Sequence, residues 1–164
     1  MIELLDKKHN RSYFDCGKEL LNNYLQNLAG QDVKRKLSAC FVLAEKETNQ
    51  IQGYYTLSNS SIPLSSFPEQ IRKKLPGSYV SIPATLLSRL AIDKSCQGKG
   101  IGKILLIDAL KRSYEILKEM GSFAVVVDPI DREAEAFYKK YDFISLPDSQ
   151  KMFVAIKTLK ELFD

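Results

Sequence analysis

The sequence predicts an α/β domain built on a mixed sheet. Three observations carry this. The apolar runs 39–44 and 51–57 flank a polar ETNQ turn, which is a hairpin signal and requires an antiparallel pair. The stretch 84–128 reads as strand, amphipathic helix, strand, which requires a parallel pair with a right-handed crossover. The chain has 164 residues, 45% apolar and 27% charged, which is ordinary for a globular protein, enough for one core and short for two. The expectation is a single domain over 1–164, with an antiparallel front half and a parallel strand–helix–strand unit.

The elements follow in order. IELL at 2–5 reads as a first short strand. KELLNNYLQNLAGQDVKR places Leu20, Leu21, Tyr24, Leu25 and Leu28 at helical spacing, with Gly30 near the end of that helix. The hairpin comes next. Residues 61–83 hold Pro63, Pro68, Pro76 and Pro83 and are expected as loop, with a short helix around EQIRKKL. ATLLSRLAID at 84–93 reads as a buried strand. The segment 101–120 carries Ile101, Leu105, Ala109, Ile116, Leu117 and Met120 at helical spacing and ends at Gly121. SFAVVVD is a β-branched strand. DREAEAFYKKY is a short helix with Ala134, Phe137, Tyr138 and Tyr141 on one side, and FISLPD and KMFVAIK form a final pair of strands.

Several function classes are excluded by composition. No run approaches the roughly 18 apolar residues of a membrane span. The N-terminus lacks a signal-peptide core, so the expected compartment is the cytoplasm. Cys16, Cys40 and Cys96 are odd in number, widely spaced and without a C-x-x-C, so neither a disulfide frame nor a metal site is expected. His9 is the only histidine, and KKHNRS reads as a solvated loop, which disfavours a histidine-dependent nucleophile. A net charge of +4 and a pI near 8.9 permit a polyanionic partner or a phosphate-bearing cofactor without demanding either.

The chemistry concentrates in CQGKGIGKIL at 96–105. A Walker loop needs four residues between its glycine and Gly-Lys, then Ser or Thr; here three separate Gly98 from Gly102-Lys103, and Ile104 follows. A dinucleotide fingerprint needs G-x-G-x-x-G, and its third glycine position is Lys103 here. What remains is a run of backbone N–H groups at a helix start, able to hold a diphosphate. Gly98, Gly100 and Gly102 remove side chains from its approach, and Lys99 and Lys103 add charge. A plain strand-to-helix turn needs one glycine, so three alternating ones favour anion binding.

Gln97-Gly98-Lys99-Gly100-Ile101-Gly102 resembles the Q/R-x-x-G-x-G/A motif of the GCN5-related N-acetyltransferases (GNAT). RLAID at 89–93 resembles the strand before that motif, and AFYKKYDF at 136–143 resembles the A-x-x-F-Y-x-x-x-G-F element after it. Asp142 stands where the family has glycine, at the end of a helix, where aspartate is tolerated less well. The resemblance implies a mostly antiparallel central sheet with helices on both faces. It implies that acetyl-CoA is the cofactor, with its pyrophosphate on Gln97–Lys103, its pantetheine arm along Leu90, Ala91 and Ile92, and Phe137 nearby. It implies that Tyr138 assists the leaving thiolate and that the Ile92 N–H polarises the thioester carbonyl. A phenol is a weaker acid than a model thiol (about 10 against about 8.5), so Tyr138 is expected to act chiefly as a hydrogen-bond donor. Glu45, Asp93 and Asp128 are base candidates by type alone, and none is assigned.

FDCGKELLNNYLQNLA at 14–29 resembles the opening of one GNAT subgroup, and GYYTL, SIPATLLSRLAID and VVVDP continue the likeness. That subgroup contains toxins of type II toxin–antitoxin pairs that acetylate the α-amino group of aminoacyl-tRNA. The resemblance implies an RNA acceptor and a small ribbon-helix-helix antitoxin as partner. Candidate basic surface comprises Lys34, Arg35, Lys36, Arg72, Lys73, Lys74 and Arg89, with Lys139-Lys140 beside the proposed site. Short basic runs are also common on solvated faces. A homodimer would enlarge the basic surface, though no motif specifies one. Acetylation of a small-molecule or protein amine, and a non-catalytic acyl-CoA-binding module, stay open as alternatives.

Overall fold

The computed structural model describes residues 1–164. Seven strands form one sheet: β1 (Ile2–Leu4), β2 (Ala39–Ala44), β3 (Ile51–Pro63), β4 (Ser81–Ile92), β5 (Ala124–Val127), β6 (Ile144–Ser145) and β7 (Met152–Ala155), in the order β1-β2-β3-β4-β5-β7-β6. The helices are α1 (Glu19–Asn23), α2 (Ala29–Lys34), α3 (Glu69–Arg72), α4 (Ile101–Leu117), α5 (Arg132–Lys140) and α6 (Ile156–Phe163). The β2–β3 hairpin is antiparallel, with Phe41 opposite Tyr55. The β4–β5 pair is parallel, from Ala84↔Ala124 to Leu87↔Val127, as the strand–helix–strand pattern predicts. The β1–β2, β5–β7 and β6–β7 pairs are antiparallel. No helix is long and apolar enough to cross a membrane.

The chain forms two compact units, each from two stretches of sequence: Met1–Ser58 with Ser88–Ala109, and Asn59–Leu87 with Leu110–Asp164. The core of the first contains Phe14, Tyr24, Leu25, Val42, Ile51 and Tyr54. The Tyr54 ring meets Phe14 edge-on, and its hydroxyl donates to the Leu21 carbonyl at 2.7 Å, so a buried phenol keeps a partner. Gly53 lets β3 approach α4: a Cβ there would lie 2.8 Å from Leu105 Cδ1 and 3.1 Å from the Ala91 carbonyl. This close packing seats the first turns of α4 on the sheet.

The helical stretch after FDCG contains a π-helical turn, Tyr24–Leu28, between α1 and α2. The Ala29 N–H donates to the Tyr24 carbonyl, one residue further than in an α-helix. The wider turn brings Ala29 rather than Leu28 under Tyr24. Ala29 is therefore buried and Leu28 exposed, against the expectation for a regular apolar face. Leu20 is exposed as well, and Asn22 takes a buried position.

In the second unit Phe67 packs edge-on against Phe123 (5.6 Å) and Phe153 (5.4 Å), among Ile62, Ile82, Val126 and Leu146. Helix α5 starts at an Asp131 side chain that accepts the Ala134 N–H at 2.8 Å. It ends with Asp142 at φ +68°, the left-handed position that glycine fills more easily.

Four further expectations need correction. Prolines do not confine 61–63 and 81–83 to loop: Pro63 closes β3, and Pro83 sits near the start of β4, where its carbonyl accepts the Phe123 N–H. The 101–120 helix stops at Leu117, and Ile116 and Met120 are exposed. The last predicted strand is cut short by α6, whose Leu159 is buried and whose Phe163 ring faces Tyr114. His9 is 4% exposed rather than solvated: its Nδ1 accepts the Asp6 N–H and its Nε2 meets Glu3 Oε1, each at 2.9 Å.

Candidate active site

The glycine stretch joins β4 to α4 within the first unit. Asp93 shapes its entrance, accepting from the Ser95 N–H at 3.0 Å and the Ser95 hydroxyl at 2.6 Å. The Gln97 side chain folds back on the backbone and donates from Nε2 to the carbonyls of Ile92 (2.9 Å) and Cys16 (3.1 Å). Gly98 and Gly100 follow at φ +77° and +79°, with nothing within 4 Å of the place where a Cβ would stand. Both are left-handed steps that other residues adopt at a cost, and both face open space.

The first α4 residues supply the donors. The Ile104 N–H bonds to the Gly100 carbonyl at 3.2 Å. The N–H groups of Ile101, Gly102 and Lys103 precede that ladder and have no helical acceptor. They stand at the positive end of a 17-residue helix. Lys99 and Lys103 are exposed beside them. Open space, left-handed glycines, unladdered amides and two ammonium groups together fit a diphosphate.

Strand β4 pairs with β5 only as far as Leu87↔Val127 and continues through Ser88–Ile92. Of its last residues, Ala91 is buried while Leu90 and Ile92 are half-buried. Past the end of β5 this strand keeps backbone groups that an extended, amide-bearing ligand can pair with.

Tyr138 lies on α5 in the second unit and is 6% exposed. Its ring packs against Phe137 (5.4 Å) and Phe143 (5.2 Å). Burial raises the phenol above its ordinary pKa, so it stays neutral and able to donate. The hydroxyl has no hydrogen-bond partner in the protein, yet Thr56 Oγ1 is the atom that is both fully enclosed and unpaired. The Tyr138 hydroxyl therefore reaches accessible surface with its donor unused. Phe137 is half-buried at its side.

The basic candidates divide. Lys34, Arg35 and Lys36 end α2 and are exposed, with Lys36 at φ +61°. Arg72, Lys73 and Lys74 are exposed at the end of α3, and Lys73 pairs with Glu69 at 3.3 Å. Arg89 is half-buried, its guanidinium 3.5 Å from the centre of the Tyr24 ring. Tyr24 in turn donates to Asp32 Oδ2 at 2.8 Å, and burial together with that bond raises its pKa to about 12. This Arg89–Tyr24–Asp32 stack escapes sequence reasoning because it joins residues of three elements. Among the base candidates, Glu45 accepts from the Thr48 N–H (2.8 Å) and hydroxyl (2.6 Å), Asp93 is committed to Ser95, and Asp128 is exposed after β5.

Residues 36–145 match the acetyltransferase (GNAT) domain model. The chain is 33% identical over 150 residues to a tRNA-acetylating toxin of Mycobacterium tuberculosis (strain ATCC 25618 / H37Rv), covering 91% of this chain and 87% of that one. Among solved structures, AtaT complexed with acetyl-methionyl-tRNAfMet superposes with a TM-score of 0.92 at 31% identity, over 100% of this chain and 99% of that one. A mutant AtaT toxin bound to the C-terminus of the antitoxin AtaR and acetyl-CoA superposes with a TM-score of 0.83 at 29% identity, over 99% and 97%.

Proposed function

This chain belongs to the GNAT acetyltransferases, and from that premise we propose that it acetylates the α-amino group of aminoacyl-tRNA in the cytoplasm, as the toxin of a toxin–antitoxin pair. The observation that carries the reading is the joint match in sequence and fold, over nearly the whole chain, to a tRNA-acetylating toxin and to a structure holding an acetylated aminoacyl-tRNA. We propose further that residues 1–164 act as a single catalytic domain, because β3, β4 and α4 each run through both compact units. The antitoxin bound to AtaT points to a cognate antitoxin for this chain.

Acetyl-CoA supplies an activated acetyl thioester. In this reading the backbone N–H groups of 98–103, with Lys99 and Lys103, hold the diphosphate. Leu90, Ala91 and Ile92 would align the pantetheine arm by strand-like pairing, with Phe137 beside it, and the Ile92 N–H would donate to the thioester carbonyl oxygen. Tyr138 would donate a hydrogen bond from its unused hydroxyl to the leaving sulfur. Its raised pKa suits donation to developing charge better than complete proton transfer. Lys34, Arg35, Lys36, Arg72, Lys73 and Lys74 offer exposed charge to an RNA backbone, and Arg89, held on Tyr24, offers a more rigid one.

The test is incubation of bulk aminoacyl-tRNA with radiolabelled acetyl-CoA, beside a panel of small amines and peptides. Label should appear on the RNA with the native protein and disappear with Tyr138→Phe. Label confined to the small amines or peptides would overturn the RNA acceptor while leaving the acetyltransfer.

A further inference from the structure

The FDCG segment lies against the stretch that leads into the glycine loop at two points, Asp93–Lys94 and Gln97. The Asp15 N–H donates to Asp93 Oδ1 at 2.9 Å, and the Lys94 N–H donates to the Asp15 carbonyl at 2.8 Å. Lys94 Nζ reaches Asp15 Oδ2 at 3.4 Å. Further along, Gln97 Nε2 bridges the Cys16 and Ile92 carbonyls. Apart from the local Gln97–Ile92 bond, these contacts join residues separated by 78 to 81 positions in sequence.

A second layer holds the FDCG segment itself. Asn22 is 5% exposed; its Oδ1 accepts the Cys16 N–H at 2.8 Å and its Nδ2 donates to Asp15 Oδ1 at 3.0 Å. The Gly17 N–H donates to that same Asp15 oxygen at 2.8 Å. Gly17 stands at φ +89°, and a Cβ there would lie 3.2 Å from Lys94 Cε. Any other residue would be strained and would press on the lysine that closes the contact.

Directly after these contacts come Gly98 and Gly100, the residues with most freedom to lose on binding. A glycine loop left loose would have to be ordered by the ligand, at a cost in affinity. Fastened from Asp93 to Gln97 on its entry side and running into α4 at Ile101 on the other, it presents its amides already aimed.

We propose that Asp15, Asn22, Asp93 and Gln97 are positioning residues that preset the 97–103 loop for the diphosphate of the acetyl donor. The FDCG-x-x-x-L-N stretch is thus a part of the cofactor site at one remove. The proposal rests on the reading that 97–103 takes that diphosphate.

The experiment compares two donors with the full chain: acetyl-CoA, and S-acetyl-pantetheine, which lacks the diphosphate and nucleotide. With Asn22→Ala and with Asp15→Ala, KM for acetyl-CoA should rise about ten-fold at unchanged kcat. For S-acetyl-pantetheine, kcat/KM should stay within about two-fold of native, because hydrogen bonds remote from the pantetheine contribute nothing to its binding. Equal loss with both donors, or no loss with either, overturns the proposal. Asp15 is exposed, so its variant stays informative where Asn22→Ala fails to fold. Gly100→Val separates the two levels. If it leaves acetyl-CoA KM unchanged, the diphosphate reading fails; if it abolishes use of acetyl-CoA while the Asn22 and Asp15 variants behave as native, only the positioning role fails.

Discussion

At Tyr138 a buried ring carries a hydroxyl without a hydrogen-bond partner in the protein, which in the proposed reaction is the donor to the leaving sulfur. Tyr138→Phe should therefore lower kcat by about 100-fold or more while leaving the thermal midpoint within a degree or so of native, because no internal hydrogen bond is lost. The donor form is the neutral phenol, and burial raises its pKa above the ordinary value. The sign is then fixed: acetyl transfer should show no loss of the Tyr138 donor below about pH 10, and an alkaline limb at lower pH would assign the loss to another group. A pH–kcat profile with a saturating acceptor checks this. Asp93 illustrates the opposite outcome. As an acidic residue beside the loop it is a base candidate by type, but its carboxylate accepts three protein hydrogen bonds. Burial pushes its pKa up, and the bonds from Ser95 and Asp15 outweigh that and hold it below the usual value, which suits a structural anchor.

Among the elements, helix ends place the candidate residues. In the first unit α4 presents its N-terminal amides, and in the second α5 carries Tyr138 in its last turn before the left-handed Asp142. Asp142→Gly should raise the urea midpoint, corresponding to about 1 kcal/mol, because glycine adopts that φ without steric cost. An unchanged or lowered midpoint would mean that the aspartate side chain compensates. The π-helical turn at Tyr24–Leu28 has its own consequence. It keeps Tyr24 and Ala29 on the buried side, and the Tyr24 ring lies under Arg89. A strict 3.6-residue period would have buried Leu28 instead. Loop and strand boundaries near Pro63 and Pro83 were misplaced for a related reason. Proline forbids a donor but not extended backbone, so it can sit at a strand end.

For the whole molecule, the net charge of +4 is modest, so any RNA affinity has to come from where the charge sits. Replacing Lys34, Arg35 and Lys36 together by alanine, and separately Arg72, Lys73 and Lys74, tests this. If a triad lies on the RNA path, the slope of log KM for aminoacyl-tRNA against log salt should flatten by about two. An unchanged slope in both variants would remove these surfaces from the RNA reading. KM for S-acetyl-pantetheine, which lacks phosphate, serves as the salt-insensitive control.

The fold class, the parallel β4–β5 unit, the β2–β3 hairpin and the glycine cradle were all legible in the sequence, because each rests on local periodicity or on glycine spacing. Helix α6 was missed because a strand pattern, KMFVA, runs straight into it without a turn residue. His9 read as solvated because its neighbours are polar, while its burial depends on Glu3 and the Asp6 amide. Sequence alone settles that this chain has a glycine-rich loop at a helix start and a tyrosine in a GNAT-like context. The three-dimensional fold settles that Gln97 bonds the Cys16 and Ile92 carbonyls, that Asp93 is a cap, that Arg89 is stacked on Tyr24, and that FDCG fastens the entry to the loop. Those facts are contacts between residues far apart in the chain, and local patterns carry no record of which distant backbone a side chain will meet.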